Sequence, residues 1–106
     1  QALDALERIL KVPGVDGLII GPYDLSCSMG IPGMFEHPDF KKAMDHILET
    51  GKKLSVPTGM HIVEPDQDRL AKCVNEGYRF IAYSVDIRIL DVMARQGIVK
   101  FRELKQ

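Results

Sequence analysis

The chain has 106 residues, 45% of them hydrophobic and 27% charged, with a formal net charge of −1. That is room for one small domain of ordinary globular composition. Neither a basic stripe nor a basic run is present, so no electrostatic footprint for nucleic acid or an anionic membrane exists, and the apolar runs are far too short to span a bilayer. No basic-then-apolar leader opens the chain, and Cys27 and Cys73 have no Cys or His at metal spacing, so the sequence reads as cytoplasmic with two free thiols.

Taken in order, Ala2, Leu3, Leu6, Ile9 and Leu10 recur at helical spacing in a helix that already includes Gln1, and Pro13-Gly14 stops it. Residues 15–21 read as a strand, and the continuous run Leu18-Ile19-Ile20 suits one covered on both faces. A Gly- and Pro-rich loop is expected over residues 22–37. Pro38 suits the first turn of a helix whose apolar stripe is Phe40, Ala43, Met44, Ile47 and Leu48, with Gly51 as its C-terminal cap. A strand follows within residues 54–62, interrupted in pattern by Pro57 and Gly59. Pro65, Asp66 and Asp68 open a helix with Leu70, Ala71, Cys73 and Val74 on its apolar side, ending at Gly77. Residues 78–85 are a third strand, residues 87–96 a helix broken by Gly97, and residues 98–105 a short terminal helix or tail.

The predicted order, α-β-α-β-α-β-α-α, calls for parallel, buried strands in an α/β fold. Three such strands leave two open edges and one uncovered face. The 106 residues are therefore expected to be the C-terminal part of a larger α/β domain, most simply about three βα units and a terminal helix of a (β/α)8 TIM barrel.

In α/β folds functional groups collect at the carboxyl ends of parallel strands. The loops that qualify are Gly21-Pro22-Tyr23-Asp24, Thr58-Gly59-Met60-His61 and Ser84-Val85-Asp86. A lone carboxylate such as Asp24 at a strand end has three readings. It is a helix N-cap, a catalytic acid or base, or an oxygen ligand for a hard divalent cation.

The stretch VDGLIIGPYDLSCSMG, with Pro32-Gly33 and His37-Pro38 after it, resembles the HpcH/HpaI aldolase/citrate lyase family. The likeness continues through Gly51-Lys52, TGMHIVEPD and EGYRFIAYSVD, and so covers nearly the whole chain. It implies a (β/α)8 barrel and a metal-dependent class II pyruvate aldolase, a lyase that cleaves a 4-hydroxy-2-oxo acid reversibly to pyruvate and an aldehyde. It makes Asp24 one of two carboxylate ligands to a divalent metal (Mg²⁺, Mn²⁺ or Co²⁺). It makes the backbone of Tyr23 and Asp24, with Gly21 shaping the turn, the cradle for the substrate carboxylate. The second carboxylate ligand, a Glu, falls before Gln1 by the same likeness, and the catalytic Arg and His fall on earlier strands. The 106 residues alone are therefore expected to bind metal poorly and to be inactive.

His61, at the end of its strand, is a candidate contact to the aldehyde half of the substrate; the plainer reading is a His bonded to a neighbouring backbone group. His37 is expected to begin a helix and His46 to be solvated. Tyr23 either narrows the pocket or covers the metal loop. Ser84, Asp86 and His61 lack a nucleophile elbow and are rejected as a triad. The apolar loop residues Met29, Ile31, Met34 and Phe35 are expected to pack over the site mouth or against another subunit. The resemblance also implies homo-oligomers, dimer to hexamer. The terminal segment, with Ile89, Leu90, Met93, Ile98, Val99, Phe101 and Leu104, is apolar enough to cross to a neighbour. Two alternatives stand beside the aldolase. One is a citrate lyase-like enzyme acting on acyl-CoA thioesters; the other is an inert or self-associating half-barrel with exposed strand edges.

Overall fold

The computed structural model describes residues 2–105; Gln1, assigned above to the first helix, lies outside them. The elements run α1 (Leu6–Leu10), β1 (Leu18–Ile20), α2 (Pro22–Ser28), α3 (Pro38–Leu54), β2 (Thr58–Ile62), α4 (Gln67–Glu76), β3 (Phe80–Tyr83) and α5 (Asp86–Glu103). The sheet is parallel in the order β1-β2-β3, with Leu18 opposite Thr58 and Gly59 opposite Phe80. Each new strand is added on the same side of the one before. That is winding in one direction, as in a barrel or within one half of a doubly wound sheet.

The helices coat one face. Leu6 and Leu10 from α1, Phe40, Met44 and Ile47 from α3, and Cys73 from α4 pack with Ile20, Met60 and Ile62 of the strands and with Tyr78. Strand side chains alternate, so Leu18, Ile20, Met60 and Ile62 meet the helices while Ile19, Gly59, His61 and Phe80 lie on the other face. That face is bare: Ile19 is 51% exposed and Phe80 43% exposed. The Phe80 ring lies across Gly59, where a Cβ would stand 2.3 Å from Phe80 Cε2.

Several boundaries differ from expectation. Residues 22–28, expected in a loop, form α2. Pro22 presets the first helical φ, Leu25 N–H donates to Gly21 O at 2.9 Å, and Asp24 supplies the acid that a helix start favours. Gly51 does not cap α3. It is buried inside the helix, which runs to Leu54 and ends at Ser55 in the left-handed region (φ 58°). Glycine is needed there because α3 sits directly on β2: a Cβ would fall only 2.1 Å from Thr58 Oγ1. That hydroxyl is buried and has no hydrogen-bond partner among the described residues. Gly97 does not break α5, which is continuous; one glycine costs about 1 kcal/mol, too little to interrupt a long ladder. Val74 is exposed, not part of the core.

The caps at His37 and Asp66 hold α3 and α4. His37 Nδ1 accepts from Asp39 N–H at 3.2 Å, and Asp66 Oδ1 accepts from Arg69 N–H at 3.0 Å. Gly77, with φ 101°, closes α4 as expected.

α5 stands apart. No residue of it is buried, and it draws the molecule out to 58 × 28 × 22 Å. Arg88 ties it to the body, donating through Nε and Nη2 to Glu64 at 2.8–3.1 Å, while Nη1 donates to Asp91 within the same helix at 2.6 Å. Ile87, Leu90, Met93, Phe101 and Leu104 share a helix face that is open to solvent. Among the described residues no helix is long and apolar enough to cross a membrane.

Candidate functional site

The carboxyl ends of β1, β2 and β3 lie side by side, because the strands are parallel and adjacent. At the end of β1, Gly21 is the N-cap of α2, and Tyr23 and Asp24 fall in its first turn. Asp24 is therefore not itself the cap. The N–H groups of the first helical turn have no acceptor within the helix, and Pro22 has none to offer, so those of Tyr23 and Asp24 face outward from the strand end. The Asp24 carboxylate folds back over Gly21, where a Cβ would stand 2.8 Å from Oδ2. Gly21 has an ordinary extended conformation (φ −93°), so a side chain there would displace the Asp24 carboxylate and would not strain the backbone.

The loop behind α2 is packed, not free. Buried Ser26 donates through Oγ to Tyr23 O at 2.9 Å and accepts from Gly33 N–H at 3.0 Å, which draws the loop back onto the helix. The Tyr23 ring meets Phe35 edge-on with centroids 4.9 Å apart, and Phe35 meets Phe40 at 5.3 Å. Met29, Ile31 and Phe35 thereby join the core, while Met34 stays exposed. Phe35 thus ties the loop both to Tyr23 of α2 and to Phe40 of α3.

At the end of β2, His61 is half-buried between two fully packed neighbours, Met60 and Ile62. Tyr23 and His61 line one cavity of about 690 Å³ that runs on between α3 and α4, past Met44, Leu48 and Arg69 to Tyr78. Gly21 and Asp24 are not part of its wall. Tyr23 and His61 thus both border this cavity, whereas Asp24 stays with Gly21 at the end of β1. On the cavity rim the Lys41 ammonium, bonded to Glu36, holds that carboxyl below its usual range. Deeper in, burial and the nearby Glu76 push the Tyr78 phenol up to about 12.

Among the described residues no three His, Cys, Asp or Glu side chains converge as a metal cage. Asp24 on its own fits a hard cation as one oxygen ligand: it is exposed and stands at a strand end. Two groups hold the β2 end in place: Glu64, gripped by Arg88, which the sequence did not single out, and Ser84, weighed there only as a member of the rejected triad, whose hydroxyl donates to Val63 O at 2.7 Å. Their partners lie more than twenty positions away, so no local pattern marks them.

The profile of the HpcH/HpaI aldolase/citrate lyase family matches residues 1–91. A pyruvate aldolase from Rhizobium etli is 42% identical over 90 residues, 85% of this chain and 35% of that protein. A 2-keto-3-deoxy-L-rhamnonate aldolase from Escherichia coli is 33% identical over 104 residues, 98% of this chain and 38% of that protein. The crystal structure of a family protein from Burkholderia cenocepacia superposes with a TM-score of 0.88 at 37% identity, covering 94% of this chain and 38% of the other. The chain spans little more than a third of the length of these relatives. It belongs to the HpcH/HpaI aldolase/citrate lyase family.

Proposed function

We propose that the protein is a carbon–carbon lyase that cleaves a 4-hydroxy-2-oxo acid reversibly to pyruvate and an aldehyde, with a divalent cation (Mg²⁺, Mn²⁺ or Co²⁺) at Asp24. This chain carries part of the site and is inactive alone. The observation that carries the reading is the free Asp24 carboxylate at the end of a parallel strand, on a helix start with unused N–H donors. The names of the aldolase relatives support the same chemistry.

In this reading the Tyr23 and Asp24 N–H groups bind the substrate carboxylate, and Asp24 contributes one ligand to the cation. A cation held there supplies electrophilic help, drawing charge onto the 2-oxo oxygen as the C3–C4 bond breaks. His61, across the strand ends, faces the aldehyde half. Gly21 keeps the Asp24 carboxylate close to the turn.

The three strands are read as the last part of a (β/α)8 barrel, residues 1–106 forming the C-terminal piece of one domain. Winding in one direction and a bare inner face support it. The uncovered apolar face of α5 supports a homo-oligomer in which this helix makes contact with a neighbouring subunit.

The test is a calorimetric titration of the full-length protein with Mn²⁺, with and without pyruvate, beside Asp24→Asn. Pyruvate should tighten Mn²⁺ binding, and the substitution should abolish both effects. Unchanged binding in Asp24→Asn would overturn the assignment.

A further inference from the structure

Ser84 helps to hold the end of β2 against the end of β3. Ser84 follows β3 directly and is 8% exposed. Its N–H donates to Ile62 O at 2.6 Å, and its hydroxyl donates to Val63 O at 2.7 Å. The strand ladder pairs His61 with Ala82 and Ile62 with Tyr83 and stops there. The serine side chain extends the pairing one step further, onto the first residue after β2.

Its backbone makes this placement costly. Ser84 has φ 59°, in the left-handed region, where a side chain is strained and glycine is not. A glycine would take the same turn more easily and would keep the N–H bond to Ile62. It would lose only the bond to Val63. The strain is therefore compensated by what the hydroxyl does.

What it does concerns His61. Met60 and Ile62, on either side, are locked against the helices. Upstream, the strand ladder fixes His61 to Ala82. Downstream, the chain turns away at Val63, and the Val63 carbonyl is the point where the turn is pinned. The other tether on this turn, Arg88 to Glu64, is solvent-exposed and competes with water. The Ser84 bond is buried.

We propose that Ser84 is a positioning residue: its hydroxyl pins the Val63 turn and so aims the His61 imidazole at the ligand bound across the strand ends. This rests on the aldolase reading for the identity of the ligand, and on geometry alone for the link to His61.

The experiment uses the full-length protein with Ser84→Gly and Ser84→Ala, each also in a His61→Gln background. The first readout is the His61 Cε1–H signal by NMR, assigned by its loss in His61→Gln. The second is the pair of KM values, for pyruvate and for a short hydroxyaldehyde, in the condensation direction. Both Ser84 variants should shift or broaden the His61 signal. Both should raise the aldehyde KM about five- to tenfold, the scale of one lost buried hydrogen bond, with pyruvate KM within about twofold. In the His61→Gln background neither should add to the loss. An unmoved His61 signal in Ser84→Gly, or effects that add to those of His61→Gln, would overturn the proposal. So would impairment in Ser84→Ala alone, which reports backbone strain and not the hydroxyl. Should the protein turn over no 2-oxo acid and aldehyde pair, the aldolase reading fails, and the NMR readout still decides the role of Ser84.

Discussion

Asp24 rests its carboxylate on Gly21, so closely that a Cβ on Gly21 would stand 2.8 Å from Asp24 Oδ2. The two residues act as one feature: the absence of a side chain at one sets the position of the other. Gly21→Ala should push the carboxylate away from the strand end while leaving α2 intact. In the full-length protein, Mn²⁺ affinity should drop at least about tenfold, a loss of about 1.4 kcal/mol, with an unchanged circular dichroism spectrum. Calorimetric titration checks it; wild-type affinity in Gly21→Ala would show that the contact is incidental.

A second close approach governs stability. Gly51 lies against Thr58, and any Cβ there meets Thr58 Oγ1 and, at 3.0 Å, Val56 O. Gly51→Ala should therefore lift α3 off β2 and destabilise the fold by about 1–3 kcal/mol, in spite of alanine's better helix propensity. Adding Thr58→Ala removes the first of the two obstacles and should recover part of the loss. Urea denaturation of the two variants measures it, and a stabilised Gly51→Ala would contradict the packing described.

Tyr78 predicts an alkaline transition. Its phenol is raised to about 12, first by burial and then by Glu76, whereas an unfolded tyrosine titrates near about 10. Below about pH 10 both states hold the proton and the group adds no pH dependence. Between about 10 and 12 the unfolded state loses it first, so stability falls as pH rises through that window. Tyr78→Phe keeps the ring and should flatten this fall. Thermal melts from pH 9 to 12 test it.

The outer face of α5 carries the assembly prediction. Leu90 is 71% exposed and Phe101 58% exposed, on the same side of the helix. Leu90→Asp or Phe101→Asp should shift the full-length protein to a smaller species in analytical ultracentrifugation, while Val99→Asp, on the opposite side, should not. An unchanged sedimentation coefficient in both would remove α5 from the contact.

Much of the architecture was legible because it rests on local periodicity. The stripe Phe40, Ala43, Met44 and Ile47 announces α3 and is buried as anticipated. Pro38 and Gly77 mark boundaries through their own backbone chemistry. α2 was anticipated only as one possible reading of Asp24, as a helix N-cap, because Gly30, Pro32 and Gly33 dominate the composition of the segment, although Pro22 at the first helical position was a usable sign. Gly51 was misread because a glycine near the end of an apolar stripe looks the same whether it caps a helix or admits a neighbour. Only Thr58, on the next strand, tells the two apart. The site divides in the same way. Asp24 and Gly21 interact over three positions and stand in a recognisable motif. The bond from Ser84 to Val63 and the pair Arg88 with Glu64 exist only once the strands are adjacent.

The sheet's two sides have different owners. This stretch of chain makes its own outer coat, since α1, α3 and α4 seal Met60 and Ile62 without help. It makes no inner wall, and Ile19 and Phe80 face water until something closes over them. In the barrel reading proposed above, any chamber on that side would be shared with other stretches of the full-length chain. Substitutions in the outer coat should consequently act independently of sequence elsewhere, whereas those at Ile19, Gly59 or Phe80 should couple to whatever faces them, and their effects should depend on which partner wall is present.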